Sequence, residues 1–128
     1  TMLRVLHGDL EDHARATAHL YLATKDGKPL ASMLAIAFGN TMTYLHGATA
    51  ETDKNLMAPY ALHWGVMRNA KSHGLSAYDF WGIDEVRWPG VTRFKLGFGG
   101  EVVSSPGALE LPLRPFWYKM YRVGQLIS

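Results

Sequence analysis

Apolar residues recur with a period of two through the first third of the chain and with a period near four through its middle. Residues 19–24, 30–38 and 41–48 carry the short period, which predicts three strands. The separators Asp26-Gly27 and Gly39-Asn40 tolerate positive φ, so the strands are expected to run as an antiparallel meander. In the middle run Leu30, Leu34, Ile36 and Phe38 share one face, and Ala31, Met33, Ala35 and Ala37 share the other. A strand apolar on both faces is predicted to lie inside a sheet covered on both sides.

After the polar residues 51–55 the period lengthens. Leu56, Tyr60, Trp64, Met67 and Lys71 fall on one face of a predicted helix, with Pro59 in its first turn and His73-Gly74 at its end. Residues 77–83 read as a strand, with Tyr78 and Phe80 on one side and Asp79 and Trp81 on the other. Strand, crossover helix and strand together predict a parallel pair beside the meander. Pro89-Gly90 opens a short helix in which Val91, Phe94 and Phe98 share a face, closed by Gly97-Phe98-Gly99-Gly100. Two brief strands, 101–104 and 108–111, flank the Pro106-Gly107 turn, and a last helix starts near Pro115 with Phe116, Met120 and Val123 facing inward.

The 128 residues, 48% of them hydrophobic, suffice for one buried core and are short for two. No apolar run approaches the ~20 residues of a membrane-spanning helix, and no secretory leader is legible, so a soluble chain with a cytoplasmic home is expected. The sequence has no cysteine, which removes disulfides and thiolate chemistry. A net charge of +2 does not by itself mark a nucleic-acid binder. Yet Arg87, Arg93, Lys95, Arg114, Lys119 and Arg122 are interleaved with Trp88, Phe94, Phe98, Trp117 and Tyr118. That mixture suits a polyanion with stackable bases, and equally a solvated basic rim over an aromatic core.

Among candidate chemistries, the six histidines fall in no metal-binding spacing, so no metal is expected. A Gly-x-Ser-x-Gly elbow is missing, and Gly97-x-Gly99-Gly100 follows a helix, the wrong context for a dinucleotide fingerprint. The unusual stretch is Arg93-Phe94-Lys95-Leu96-Gly97-Phe98-Gly99-Gly100. There Lys95 stands ~100° around the helix from Phe94, where it could reach a cleft to bind phosphate or stabilise an oxyanion, or lie on the surface of a structural helix. Tyr44 and His46 alternate onto one strand face, and Asp79 and Trp81 onto another. All four would then lie near the carboxyl ends of parallel strands, where open α/β sheets bind ligands. Glu110 reads as a solvent-facing strand residue.

Six motifs, in order, resemble one family: Asp26-Gly27-Lys28-Pro29, Tyr44-Leu45-His46-Gly47-Ala48, Tyr60-Ala61-Leu62-His63-Trp64, Tyr78-Asp79-Phe80-Trp81-Gly82-Ile83, Arg93 to Gly100, and Pro115-Phe116-Trp117-Tyr118-Lys119. From about residue 10 to about residue 124 the chain is similar to the second acetyltransferase-like domain of the FemABX aminoacyltransferases. The resemblance implies an α/β (α+β) acetyltransferase-like (GNAT) domain, a mixed sheet with helices on both faces. It implies a single domain over 1–128, truncated and corresponding to the C-terminal half of a two-domain Fem protein whose N-terminal domain is missing.

What the resemblance implies about activity is transfer of an amino acid from aminoacyl-tRNA to the stem-peptide amine of a peptidoglycan precursor, without cofactor. The work would be done in the cytoplasm, with the inner membrane face left open as its place. The family's Phe-Lys motif maps onto Phe94 and Lys95, in the channel for the tRNA acceptor end. Phe94 would stack or pack, and Lys95 would hold phosphate or polarise the ester. Arg93, Tyr44, His46, Tyr60 and Trp81 are the accompanying candidates for substrate binding, and Glu110 is the candidate for an acidic residue near the channel. Two other classes stay open. One is an acyl-coenzyme A-dependent N-acyltransferase, against which the glycine-free turn Ala50-Glu51-Thr52-Asp53-Lys54-Asn55 argues. The other is a non-catalytic binding or assembly domain that forms a homodimer.

Overall fold

The alternating pattern folds as an antiparallel meander because its turns can reverse the chain tightly. In the computed structural model, which describes residues 2–5, 14–52, 54–104, 106–107, 111 and 113–127, Asp26 and Gly27 both take positive φ (50° and 77°). That geometry matches the twist of the strands it joins. Strands β1 (Met2–Val5), β2 (Thr17–Lys25), β3 (Lys28–Phe38) and β4 (Thr41–Thr49) pair antiparallel in that order. Strand β5 (Ala77–Asp79) then pairs parallel with β4, as the strand–helix–strand pattern predicts. The four-residue β1 lies outside the strands read from the sequence.

The crossover is α1 (Ala58–Ser72), with a proline in its first turn. Its buried face is not the stripe of Leu56, Tyr60, Trp64, Met67 and Lys71 that the spacing marks. Ala58, Leu62, Val66 and Ala70 pack inward, against Ala31, Met33, Ala35 and Ala37 of β3 in the same buried core. Trp64, on the face that the spacing marks, is 59% exposed. Both series satisfy helical spacing, and size decides between them: alanines bring the helix axis close to the sheet, where a row of large aromatics would hold it off. The Tyr21 hydroxyl on β2 donates to Asn69 Oδ1 at 3.2 Å and sets the helix's rotation. On the opposite sheet face Leu34 and Ile36 are half-buried and Phe38 is exposed.

Beyond Asp79 the predicted strand stops early. Asp79 Oδ1 accepts the Trp81 N–H at 2.7 Å, and Trp81 adopts a φ of 62°, so the chain turns out of the ladder instead of extending to Ile83. Residues 84–88 form a turn tied to α2 (Pro89–Leu96). Its buried Thr92 donates to the Asp84 carbonyl at 2.9 Å and accepts the Asp84 N–H at 3.1 Å.

The chain divides into two units, one running through Phe98 and one from Gly99 onward. In the second, residues 101–104 form no strand, and most of the second predicted strand, Glu110 included, lies outside the described residues. The last helix, α3 (Pro115–Ile127), begins at the expected proline. Phe116, Met120 and Val123 are each more than half exposed rather than turned inward, because α3 is the only helix or strand described in its own unit and has no neighbouring element there.

Truncation on the observed inner face, Leu62→Ala, is expected to cost about 2–5 kcal/mol, whereas Trp64→Ala costs under about 1 kcal/mol. Urea unfolding of the two variants checks which face is buried; the opposite ranking would place the Trp64 stripe in the core.

Candidate active site

One residue beyond Leu62 on α1, His63 leaves the helix–sheet seam and enters a cluster of rings. Its neighbours are Tyr44 (centroids 4.8 Å apart), Phe80 (5.2 Å), Phe94 (5.3 Å), Phe98 (5.6 Å) and Tyr78 (5.9 Å). The cluster joins α1 to β4, β5 and α2, and His63 is only 4% exposed within it. Its Nδ1 lies 2.8 Å from the Tyr78 hydroxyl, which is also 3.4 Å from Met33 Sδ.

A β-bulge decides which strand residues reach this cluster. The register of β3 and β4 slips between Leu34 and Ala35, so that Ala35 faces Tyr44 while Leu34 faces His46. The extra residue turns Tyr44 toward α1 and His46 to the other face of the sheet, correcting the expectation that the two share a face. Gly47 makes room for the phenol: a Cβ there would lie 2.9 Å from the Tyr44 hydroxyl and 3.1 Å from the Ser32 carbonyl oxygen.

The cluster borders a cavity of about 540 Å³ between β3, β4 and the starts of α1 and α2. Leu30, Met33, Met57, Leu62 and Val91 supply apolar wall, Tyr60 and Phe94 aromatic wall, and Ser32, Tyr44, Glu51, Thr52 and His63 the polar groups. Tyr60 packs edge-on against Phe94 at 4.5 Å while remaining 39% exposed.

Lys95 is buried, 8% exposed, rather than on a helix surface. Its Nζ donates to the Gly82 carbonyl at 2.6 Å and lies 5.6 Å from the centre of the Tyr44 ring. Withdrawal from water lowers its pKa, and the Asp79 carboxylate partly opposes that shift. Burial, and second the positive charge of Lys95, hold His63 down at about 4, so the imidazole is neutral at physiological pH. Burial raises the Tyr44 and Tyr78 hydroxyls, the latter further through Tyr44 and Tyr21, so both stay protonated.

Of the residues singled out from sequence, Tyr44, Tyr60, Phe94 and Lys95 come together here. Arg93 is exposed on α2 and outside the cavity wall, His46 is on the other sheet face, and Trp81 is 63% exposed on the turn after β5. Glu110 lies outside the described residues. The residues that sequence reasoning missed are His63 and Tyr78. The signal for His63 would have been the 58-62-66-70 series, which puts it beside the buried face; no spacing marks Tyr78. Among the described residues no group of three or more His, Cys, Asp or Glu side chains is placed to hold a metal ion. Nor is any helix among them long and apolar enough to cross a membrane.

Residues 9–125 match the FemAB family. The chain is similar to aminoacyltransferase FemA of Staphylococcus epidermidis, 28% identical over 86 residues, which are 63% of this chain and 21% of that protein. It is 26% identical over 85 residues to aminoacyltransferase FemA of Staphylococcus aureus, covering 62% of this chain and 20% of that protein. The matched segment thus spans about a fifth of the length of these relatives.

His63 binds its proton less tightly in the folded chain, near pH 4 against 6.5, so the unfolded chain takes up the proton first as pH falls. The stabilisation from keeping it neutral is complete above about pH 6.5 and is lost by about pH 4, a difference of roughly 3 kcal/mol. Denaturant unfolding across that range checks it, since a His63→Asn variant should show a correspondingly shallower decline. Gly47→Ala is expected to displace the Tyr44 phenol and destabilise the chain by about 1–3 kcal/mol, measurable by the same unfolding experiment.

Proposed function

The chain belongs to the FemAB family, and on that premise we propose that it carries the donor site of an aminoacyltransferase. The reaction moves an amino acid from aminoacyl-tRNA to a stem-peptide amine of a peptidoglycan precursor. The observation that carries this reading is the placement of the Phe-Lys pair, with Phe94 in the cavity wall and Lys95 buried against Tyr44 at its side.

In this reaction the amine nitrogen attacks the ester carbonyl carbon. An amide bond forms, the bond to the ribose oxygen breaks, and the proton lost by the amine ends on that oxygen. An activated ester needs neither ATP nor a metal to drive the exchange. The terminal adenosine would stack on Tyr60, with Phe94 packed edge-on against that ring, an arrangement supported by the exposed part of the Tyr60 ring. Arg93, exposed one residue before Phe94, would meet phosphate from outside. Lys95 would leave the Gly82 carbonyl to hold phosphate or polarise the ester, exchanging one charge-assisted hydrogen bond for another. The resemblance further assigns the precursor to a preceding Fem-type domain, makes Glu110 the candidate for the acidic role, and puts the work in the cytoplasm, with the inner membrane face left open as its place.

Binding of an aminoacylated RNA minihelix, with acetyl-coenzyme A for comparison, tests the reading. The chain is expected to bind the minihelix, and Lys95→Met, which keeps the buried stem, should weaken binding about tenfold or more, as loss of a charged hydrogen bond does. Arg93→Ala should weaken it less and flatten its salt dependence. Binding of acetyl-coenzyme A in place of RNA would sink the proposal.

A further inference from the structure

The cavity has a polar wall group for which the proposed donor site has no use so far. We infer that His63 and Tyr78 form a dyad in which the His63 Nε2–H is the hydrogen-bond donor for the carbonyl oxygen of the acyl group bound in the cavity. The inference rests on the acyl-transfer reading above and deepens it.

His63 is 4% exposed and yet part of the cavity wall. Its Nδ1 edge is taken by the Tyr78 hydroxyl at 2.8 Å. That phenol has one proton and two acceptors in reach, His63 Nδ1 and, at 3.4 Å, Met33 Sδ. With the ring's own proton on Nε2, as inferred, the unprotonated Nδ1 is a far stronger acceptor than a thioether, and the phenol proton goes to it.

Around the rest of the ring stand Tyr44, Phe80, Phe94 and Phe98. Their faces take no strong hydrogen bond. Among the described residues the ring's hydrogen bond is the one at Nδ1, which leaves the cavity as the direction in which Nε2–H finds an acceptor. A mainly apolar cavity with one buried neutral donor suits a carbonyl on a small or apolar group.

Neutrality matters. The ionisable groups facing the ring are Tyr44 on β4, Tyr78 on β5 and Lys95 on α2, with Asp79 acting on Lys95. Burial and Lys95 together keep the imidazole uncharged. It can therefore donate without adding a second positive charge beside Lys95 or repelling an incoming amine. As the amine attacks, the carbonyl oxygen gains negative charge and this bond strengthens; collapse of the intermediate returns the charge to the leaving ribose oxygen, and His63 neither gains nor loses a proton.

Two measurements on the full chain test the dyad. Nitrogen-15 spectra of labelled histidines should show His63 protonated at Nε2 at pH 7; protonation at Nδ1 overturns the inference. Binding is then measured for the glycyl amide of 3′-amino-3′-deoxyadenosine and for acetyl-coenzyme A. His63→Leu is expected to weaken whichever binds by about tenfold, His63→Gln, which keeps a donor, by less than about threefold, and Tyr78→Phe by an amount between them. Unchanged affinity in His63→Leu, or binding of neither probe, overturns the dyad; should His63→Leu fail to fold, the Gln and Tyr78→Phe variants decide by the same ranking. If acetyl-coenzyme A alone binds, and does so through His63, the dyad stands while the aminoacyl-tRNA reading falls.

Discussion

The close approach of α1 to the meander governs everything else in the first unit. Ala58, Leu62, Val66 and Ala70 meet the alanine- and methionine-bearing face of β3, and small side chains on both surfaces let backbone come near backbone. Dispersion and the loss of water from this seam hold the crossover in place. Once α1 is seated and Tyr21 has set its rotation through Asn69, the neighbours of His63 are decided. The helix thus acts as the arm that carries a polar residue into an aromatic enclosure.

That enclosure changes the chemistry of what it contains. Rings from four elements exclude water from around His63 and Lys95, and both basic groups respond by favouring their neutral forms more than they would in solvent. Each nevertheless has a hydrogen-bond partner, His63 in Tyr78 and Lys95 in the Gly82 carbonyl, so neither bears the full cost of burial. The Lys95 latch depends on the chain leaving β5 at Asp79, because the left-handed turn at Trp81 is followed directly by the carbonyl that the ammonium meets. A longer strand would have kept Gly82 in the ladder.

Two small irregularities therefore do as much for the site as the regular elements. The bulge between β3 and β4 separates Tyr44 from His46, and the turn after Asp79 removes Trp81 from the strand face while supplying a partner to Lys95. Thr92, buried and bonded in both directions to Asp84, holds the intervening turn against α2. It thereby keeps Phe94 and Lys95 in register with the cavity. Neither irregularity changes the order of the elements, yet each changes which side chains can meet a ligand.

The amino-acid sequence by itself determined the meander, the parallel strand after the crossover helix, the starts of α2 and α3 and the family. These follow from local period, turn residues and proline placement, all of which act within a few neighbouring positions. It also put Phe94 and Lys95 in the candidate site, through the resemblance of their motif. Which face of α1 is buried, which of Tyr44 and His46 turns inward, where β5 ends and that His63 meets Tyr78 were decided by tertiary structure. The physical reason is that each depends on partners distant along the chain. Spacing cannot choose between two helical stripes that are both apolar; the sheet chooses by size. Alternation cannot foresee a bulge, because the register of one strand is set by pairing with another.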